Sequence, residues 1–231
     1  MKKYRAGIIG LGRVGAQWDD SHFNAYLKHP RIELVALCDL NPHEEFYSFQ
    51  DYQDYLEMVK LENLDIVSVC TPPSTHCQII CGIAPYVKGI YCEKPIAETL
   101  EDADKMILTC REHNVKLQIN HQRRWNTPVF TFSRGILNSG THAFDTINYY
   151  FKEDKAIKFV YVETDEPIFK LEFPAEPHVP SEAIDELIEC IEYDIESTSS
   201  GEEATIALQQ CLDMQKSNII KVGKRKYLKL I

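Results

Sequence analysis

Five short, nearly continuous apolar runs constrain the fold of this 231-residue chain more than any other feature. They are Ala6–Ile9, Ile32–Cys38, Leu64–Cys70, Gly89–Cys92 and Val115–Asn120. A strand that is apolar on both faces must be covered on both, which is the situation of a parallel sheet between two helix layers. Helical stretches separate the runs. The clearest spans Leu100 to His113, with Thr99 placed to cap it and Glu101, Asp102 and Asp104 in its first turn, where the helix dipole favours negative charge. Strands alternating with helices predict an α/β fold, a doubly wound parallel sheet of the Rossmann type.

The pattern changes after Asn120. Asn126-Thr127-Pro128 is a turn signal. Beyond it come a helical stretch over Thr141–Phe151 and two strand-like runs, Ile157–Glu163 and Ile168–Phe173. A loop with three prolines, Pro174–Pro180, follows. Two acidic amphipathic helices come next, Glu182–Ile195 and Glu202–Ser217, the second opened by a capping box from Ser200 to Glu203. A last strand covers Lys226–Ile231. The division expected is a dinucleotide-binding domain over residues 1–121 and a small α+β domain, with an antiparallel or mixed sheet, over 122–231.

Gly10-Leu11-Gly12-Arg13-Val14-Gly15 reads GxGxxG directly behind the first strand. In that context Gly10 permits the tight turn, Gly12 lets a pyrophosphate approach the backbone, and Gly15 lets helix and strand pack closely. The helix that opens there is expected to aim free N–H groups at the phosphates. Asp39 ends the second strand, where a carboxylate can accept from the ribose hydroxyls of the adenosine half. It lies 24 residues past Gly15, and Gln17–Ser21 (QWDDS) reads as a small insertion. No Arg or Lys stands in Leu40-Asn41-Pro42-His43, so a 2′-phosphate would meet a carboxylate and no cation. NAD is therefore favoured over NADP. The alternative role for Asp39 is a cap on the turn before Pro42.

Charge and cysteine usage narrow the partners. The formal net charge of −10 opposes nucleic acid and anionic membrane as ligands. The apolar run behind Met1–Arg5 breaks at Gly10, too short for a signal peptide or a membrane span. Eight cysteines without a CxxC pair read as buried thiols of a reducing, cytoplasmic compartment, ahead of a metal site at His76, Cys77 and Cys81.

Two further motifs stand at the carboxyl ends of strands, where open α/β sheets place their ligands. Thr71-Pro72-Pro73-Ser74-Thr75-His76 follows the third run, and Glu93-Lys94-Pro95 follows the fourth. The glycine loop, the TPPxxH stretch and CEKPIA (Cys92–Ala97), in this order, closely resemble the Gfo/Idh/MocA oxidoreductase family. Lys116–Trp125 resembles that family's crossing into its second domain, Gly135–Tyr150 resembles a further stretch, and Ser199–Ser217 its closing helix. The resemblance implies NAD(P)-dependent oxidation or reduction of a sugar, polyol or nucleotide-sugar hydroxyl, in a homodimer or higher homo-oligomer. It implies Lys94 as the active-site lysine, whose ammonium would stabilise a developing alkoxide. It implies His142 as the base that takes the hydroxyl proton, with Asp145 on the same helical face to orient it. Thr71, Pro72, His76 and Glu93 join Gly10, Gly12, Arg13, Val14, Gly15 and Asp39 as expected cofactor-binding positions.

Two departures point elsewhere. Asn138 stands where the family carries an aspartate four residues before the histidine, and an amide cannot stabilise an imidazolium by charge. The stretch between Arg124 and Gly135 is short, as is Asn41–Tyr52. Beside the dehydrogenase reading stand a non-catalytic dinucleotide-binding regulator or interaction protein, and a relative that keeps only the fold.

Overall fold

A computed structural model describes residues 2–41, 49–125, 160–163, 178–216, 220–222 and 225–229. Six strands form one parallel sheet: β1 (Tyr4–Ile9), β2 (Ile32–Cys38), β3 (Gln50–Tyr52), β4 (Ile66–Val69), β5 (Gly89–Cys92) and β6 (Lys116–Ile119). Their spatial order is β3-β2-β1-β4-β5-β6, every neighbour parallel. The order reverses direction between β1 and β4, which creates the crevice where such sheets take ligands. All five apolar runs became strands. The edge strand β3 was not anticipated: Gln50-Asp51-Tyr52 is short and polar, and it is held by pairing to Ala36–Cys38 rather than by burial.

Helices α1 (His22–Lys28), α2 (Tyr55–Leu61), α3 (Pro73–Ile83), α4 (Leu100–Glu112), α5 (Ser181–Tyr193) and α6 (Gly201–Lys216) surround the sheet. The period-2 alternation of the strands sorts the core into two layers. Ala6, Ile8, Ile66 and Tyr91 pack with Tyr26 of α1 and with Ala183, Ile184, Leu187 and Ile188 of α5. Val67, Val69, Ile90, Cys92, Leu117 and Ile119 pack on the other face with α2, α3, α4 and, through Ala204 and Leu208, α6. The expected division at residue 121 therefore separates stretches that pack together. Helices α5 and α6 cover the first sheet, because their apolar stripes complete its two faces.

Local signals held where they depended on neighbours in sequence. Thr99 accepts from Asp102 N at 3.1 Å and starts α4 as expected. Ser200 accepts from Glu203 N at 3.4 Å, while the Glu203 carboxylate lies 3.5 Å from Arg124. The helix expected to open at the glycine loop is instead a single π turn, Arg13–Gln17. The chain breaks over Trp18–Asp20 and restarts at α1 with Ser21 as cap, its hydroxyl accepting from Asn24 N. The QWDDS insertion supplies both the break and the new cap.

A separate three-stranded antiparallel sheet, in the order β7-β9-β8, joins β7 (Val160–Glu163), β8 (Ile220–Val222) and β9 (Arg225–Lys229). This agrees with the expected small sheet and with strands at both ends of its segment. The expected helix over Thr141–Phe151 and strand over Ile168–Phe173 lie outside the described residues. All eight cysteines are free thiols.

Because α5 belongs to the core of the first sheet, Leu187→Ala should destabilise the whole Rossmann unit. Leu187 is 1% exposed and its Cδ1 lies 3.3 Å from the Cβ position of Gly89. A loss of about 2–5 kcal/mol is expected, read as one cooperative transition in urea. A separate early transition, with the sheet intact, would show that α5 is not part of that core.

Candidate functional site

Every motif singled out within residues 1–121 arrives at the carboxyl edge of the parallel sheet. The glycine loop follows β1, Asp39 follows β2, Thr71 follows β4, Glu93-Lys94 follows β5, and Asn120-His121 follows β6.

The three glycines do different work. Gly10 sits at φ +92°, and a Cβ there would come within 2.9 Å of the Cys70 and Thr71 backbone. The glycine turn is thus packed against the turn after β4, at the switch point. A Cβ on Gly15 would stand 1.9 Å from the Gly10 carbonyl oxygen. Both positions need glycine for the fold. Gly12 does not: its φ of −68° and ψ of −164° are extended backbone open to any residue, and a Cβ there would meet no heavy atom within 4 Å. The fold gives no reason for glycine at Gly12, whereas a pyrophosphate lying against that backbone does. Arg13 and Val14 open the π turn beside it, with N–H groups that a first turn leaves unbonded internally. A single turn carries little macrodipole, so the helix contribution expected from sequence reduces to these donors.

Asp39 fills both roles considered for it. Its Oδ2 accepts from Leu11 N at 2.7 Å, fixing the glycine loop, and its Oδ1 accepts from Asn41 N at 3.0 Å, closing the turn before Pro42. A carboxylate at the end of β2 has the chemistry to accept from ribose hydroxyls. These residues fit a dinucleotide.

His76 is fully buried. Its Nε2 lies 2.8 Å from Thr71 O and its Nδ1 3.1 Å from Ile96 O. It ties the TPPxxH turn to the EKPIA turn from beneath, and burial lowers its pKa below the ordinary 6.5. It is a positioning residue, not one that can touch a ligand. Thr71 is half-buried, its hydroxyl bonded to Thr75, and Pro72 is exposed at the cap of α3.

Glu93 is buried, and three side chains donate to its Oε1: Asn120 Nδ2 at 2.6 Å, His22 Nε2 at 3.0 Å and His178 Nε2 at 3.2 Å. Burial alone would raise its pKa. The hydrogen bonds from His178 and His22 hold it well below the usual carboxylate range. His22 is itself fully buried, which lowers its pKa, so it donates to the carboxylate as a neutral ring. Its Nδ1 lies 2.8 Å from Ser68 Oγ, which is 2.7 Å from the Tyr26 hydroxyl. The Tyr91 hydroxyl donates to Asn120 Oδ1 at 2.8 Å. Lys94 follows immediately, half-buried, with a cis peptide bond to Pro95. His142, Asp145 and Asn138 lie outside the described residues.

Sequence reasoning missed His22, Asn120 and His178. His22 had a signal, a histidine opening a helix behind a serine cap. Asn120 ends the fifth run. His178 had none, being one residue of a proline-rich loop.

The family described as "Oxidoreductase family, NAD-binding Rossmann fold" matches residues 4–121. The chain belongs to this family, Gfo/Idh/MocA. Among curated relatives, it is 29% identical over 148 residues to the uncharacterised oxidoreductase YrbE of Bacillus subtilis, covering 60% of this chain and 41% of that protein. It is 27% identical over 142 residues to D-apiose dehydrogenase of Paraburkholderia graminis, covering 59% and 37%. The match thus spans about two fifths of the length of these relatives. Among solved structures, the WlbA dehydrogenase of Bordetella pertussis, in complex with NADH and UDP-GlcNAcA, superposes with a TM-score of 0.71 at 18% identity, covering 93% of this chain and 96% of that one. At that identity the likeness shows the shared fold.

The glycines make a clean contrast. Gly12→Val should leave the urea midpoint unchanged and abolish NADH binding in a fluorescence titration. Gly15→Ala should cost about 1–3 kcal/mol or more in stability. Equal NADH affinity for Gly12→Val and the parent would refute the loop assignment.

Stability should also fall on acidification. Glu93, His22 and His76 all have folded pKa values below their unfolded ones, so the unfolded chain binds more protons and stability rises with pH. The histidine contribution is complete above about 6.5 and declines as pH falls through it. The Glu93 contribution follows below its ordinary 4.5. Urea midpoints should hold from pH 8 to about 7 and decrease from about 6.5 down to pH 4, and a midpoint that rises on acidification over that range would contradict this arrangement.

Proposed function

We propose that this protein is an NAD-dependent oxidoreductase that interconverts a CH–OH group and a carbonyl on a sugar, polyol or nucleotide sugar. Gly12 carries the reading: it is a glycine the fold does not require, at the point where a dinucleotide's pyrophosphate would lie. Gly10, Arg13, Val14, Gly15, Thr71 and Pro72 would frame the cofactor, and Asp39 would accept from its ribose hydroxyls. NAD, when bound, supplies the hydride acceptor. The substrate carbon gives up a hydride, its hydroxyl gives up a proton, and a C=O bond forms. Lys94, set by the turn after β5, would hold the reacting oxygen and stabilise its developing negative charge. His142 and Asp145 are proposed for the proton on the family resemblance. The named activity of D-apiose dehydrogenase and the bound UDP-GlcNAcA of the WlbA structure support a polyhydroxylated substrate.

The chain is further proposed to work in the cytoplasm, in keeping with its free thiols. No described helix is long and apolar enough to cross a membrane. The antiparallel sheet β7-β9-β8 offers a face on which a second copy could pack, so a homodimer or higher oligomer is proposed. The net charge of −10 supports a small-molecule ligand over nucleic acid.

The deciding experiment follows absorbance of reduced nicotinamide against a panel of sugars, polyols and nucleotide sugars. With a substrate found, Lys94→Ala and His142→Ala should each lower turnover by about 10²-fold while NAD affinity changes little. NADH binding without turnover on any member of the panel would favour the non-catalytic regulator. Asp39→Ser should narrow the preference for NAD over NADP by about tenfold. It should also weaken both, because the Leu11 N–H loses its acceptor. A parent protein that prefers NADP would overturn the role given to Asp39.

A further inference from the structure

His178 lies 85 residues beyond Glu93 in sequence, yet it is built into the same site. Its Nε2 donates to Glu93 Oε1 at 3.2 Å. Its backbone N–H donates to Asp20 Oδ2 at 2.9 Å, and its carbonyl accepts from Asn120 Nδ2 at 3.0 Å. Its ring meets Trp18 edge to face, centroids 5.6 Å apart. Trp18 and Asp20 belong to Gln17–Ser21, the stretch whose sequence reads as a small insertion. The insertion interrupts the first helix and, in doing so, supplies a carboxylate and an indole that seat this histidine.

We propose that His178 is a positioning residue for Lys94, acting through Glu93, and that the Gln17–Ser21 insertion exists to hold it there. Glu93 Oε1 collects donors from three elements: His22 from α1, Asn120 from the end of β6, and His178 from the approach to α5. The first two belong to the Rossmann sequence. The third arrives only when the chain has returned from residues 126–177. Lys94 is bonded directly to Glu93, so a carboxylate held from three sides fixes where the lysine leaves the sheet. Remove the His178 donor and one side of that hold is gone. The return of the chain thereby completes the turn that presents Lys94. Other groups facing His178 are Glu93, Asp20, Asn120 and, across the carboxylate, His22.

The inference rests on the part proposed for Lys94, and its test needs neither NAD nor substrate. The full chain is treated briefly with acetic anhydride, and acetylation of Lys94 is measured by mass spectrometry relative to exposed Lys28. His178→Ala should change the Lys94 to Lys28 ratio severalfold, and His178→Gln, which restores an N–H donor, should bring it back. NADH titration gives a second readout: affinity should change little in His178→Ala, as expected for Lys94→Ala itself. If His178→Ala fails to fold, Asp20→Ala decides: it loosens the seat but keeps the imidazole, and the ratio should move in the same direction. An unchanged ratio in a folded His178→Ala or Asp20→Ala overturns the proposal, even if the melting temperature falls. A ratio equally altered in His178→Gln also overturns it, because the donor would then not be what matters. A parent that binds no NADH would defeat the oxidoreductase reading while leaving the acetylation result to judge His178.

Discussion

A carboxylate taken out of water has to be surrounded by donors, and in this protein that requirement organises the site. Glu93 is buried at the end of β5, and leaving it unpaired would cost several kcal/mol. Its partners come from α1, from the end of β6 and from the lead into α5. Those three elements are fixed in turn: His22 through Ser68 and Tyr26, Asn120 through Tyr91, and His178 through Asp20 and Trp18. The network occupies one face of the sheet, between α1 and α5, and the turn carrying Lys94 grows directly out of it. Breaking any one link exposes an unsatisfied group in a low-dielectric interior, which is why such networks behave as units.

The glycine loop obeys a different constraint, steric rather than electrostatic. Gly10 and Gly15 pack so closely against neighbouring backbone that no side chain fits, and Asp39 then clamps Leu11 from the next strand. The loop's path is thus set by contacts within the protein itself. Preorganisation of this kind reduces the ordering needed on binding.

How much could be read in advance depended on the range of the interactions. The strands β1, β2, β4, β5 and β6 were legible because a buried parallel strand writes its environment into consecutive residues. The Thr99 and Ser200 caps were legible for the same reason, as were the glycine loop and the EKP turn. Strand β3 was not, since only pairing to β2 makes Gln50–Tyr52 a strand. The π turn was not, because Gln17–Ser21 shows an insertion without showing how the helix yields to it. Helices α5 and α6 were legible as amphipathic helices, but an apolar stripe does not say which surface it covers. His178 illustrates the limit most clearly: its role is defined entirely by residues 58 to 160 positions away, Asn120, Glu93, Asp20 and Trp18.

The places where the chain leaves the sheet and comes back to it are bonded to each other. Asn120 holds the His178 carbonyl, and the Trp125 indole donates to Glu186 of α5 at 2.6 Å. Everything from 126 to 177 is therefore spliced between two points that the sheet already keeps side by side. A segment joined at adjacent points can gain or lose length at small expense, since doubling a loop adds only about 0.6 kcal/mol of closure entropy. On that arithmetic a change of length between the two points costs the cofactor half little. The hydrogen bonds of Asn120 and Trp125 are the clips that hold those two points to the sheet and to α5.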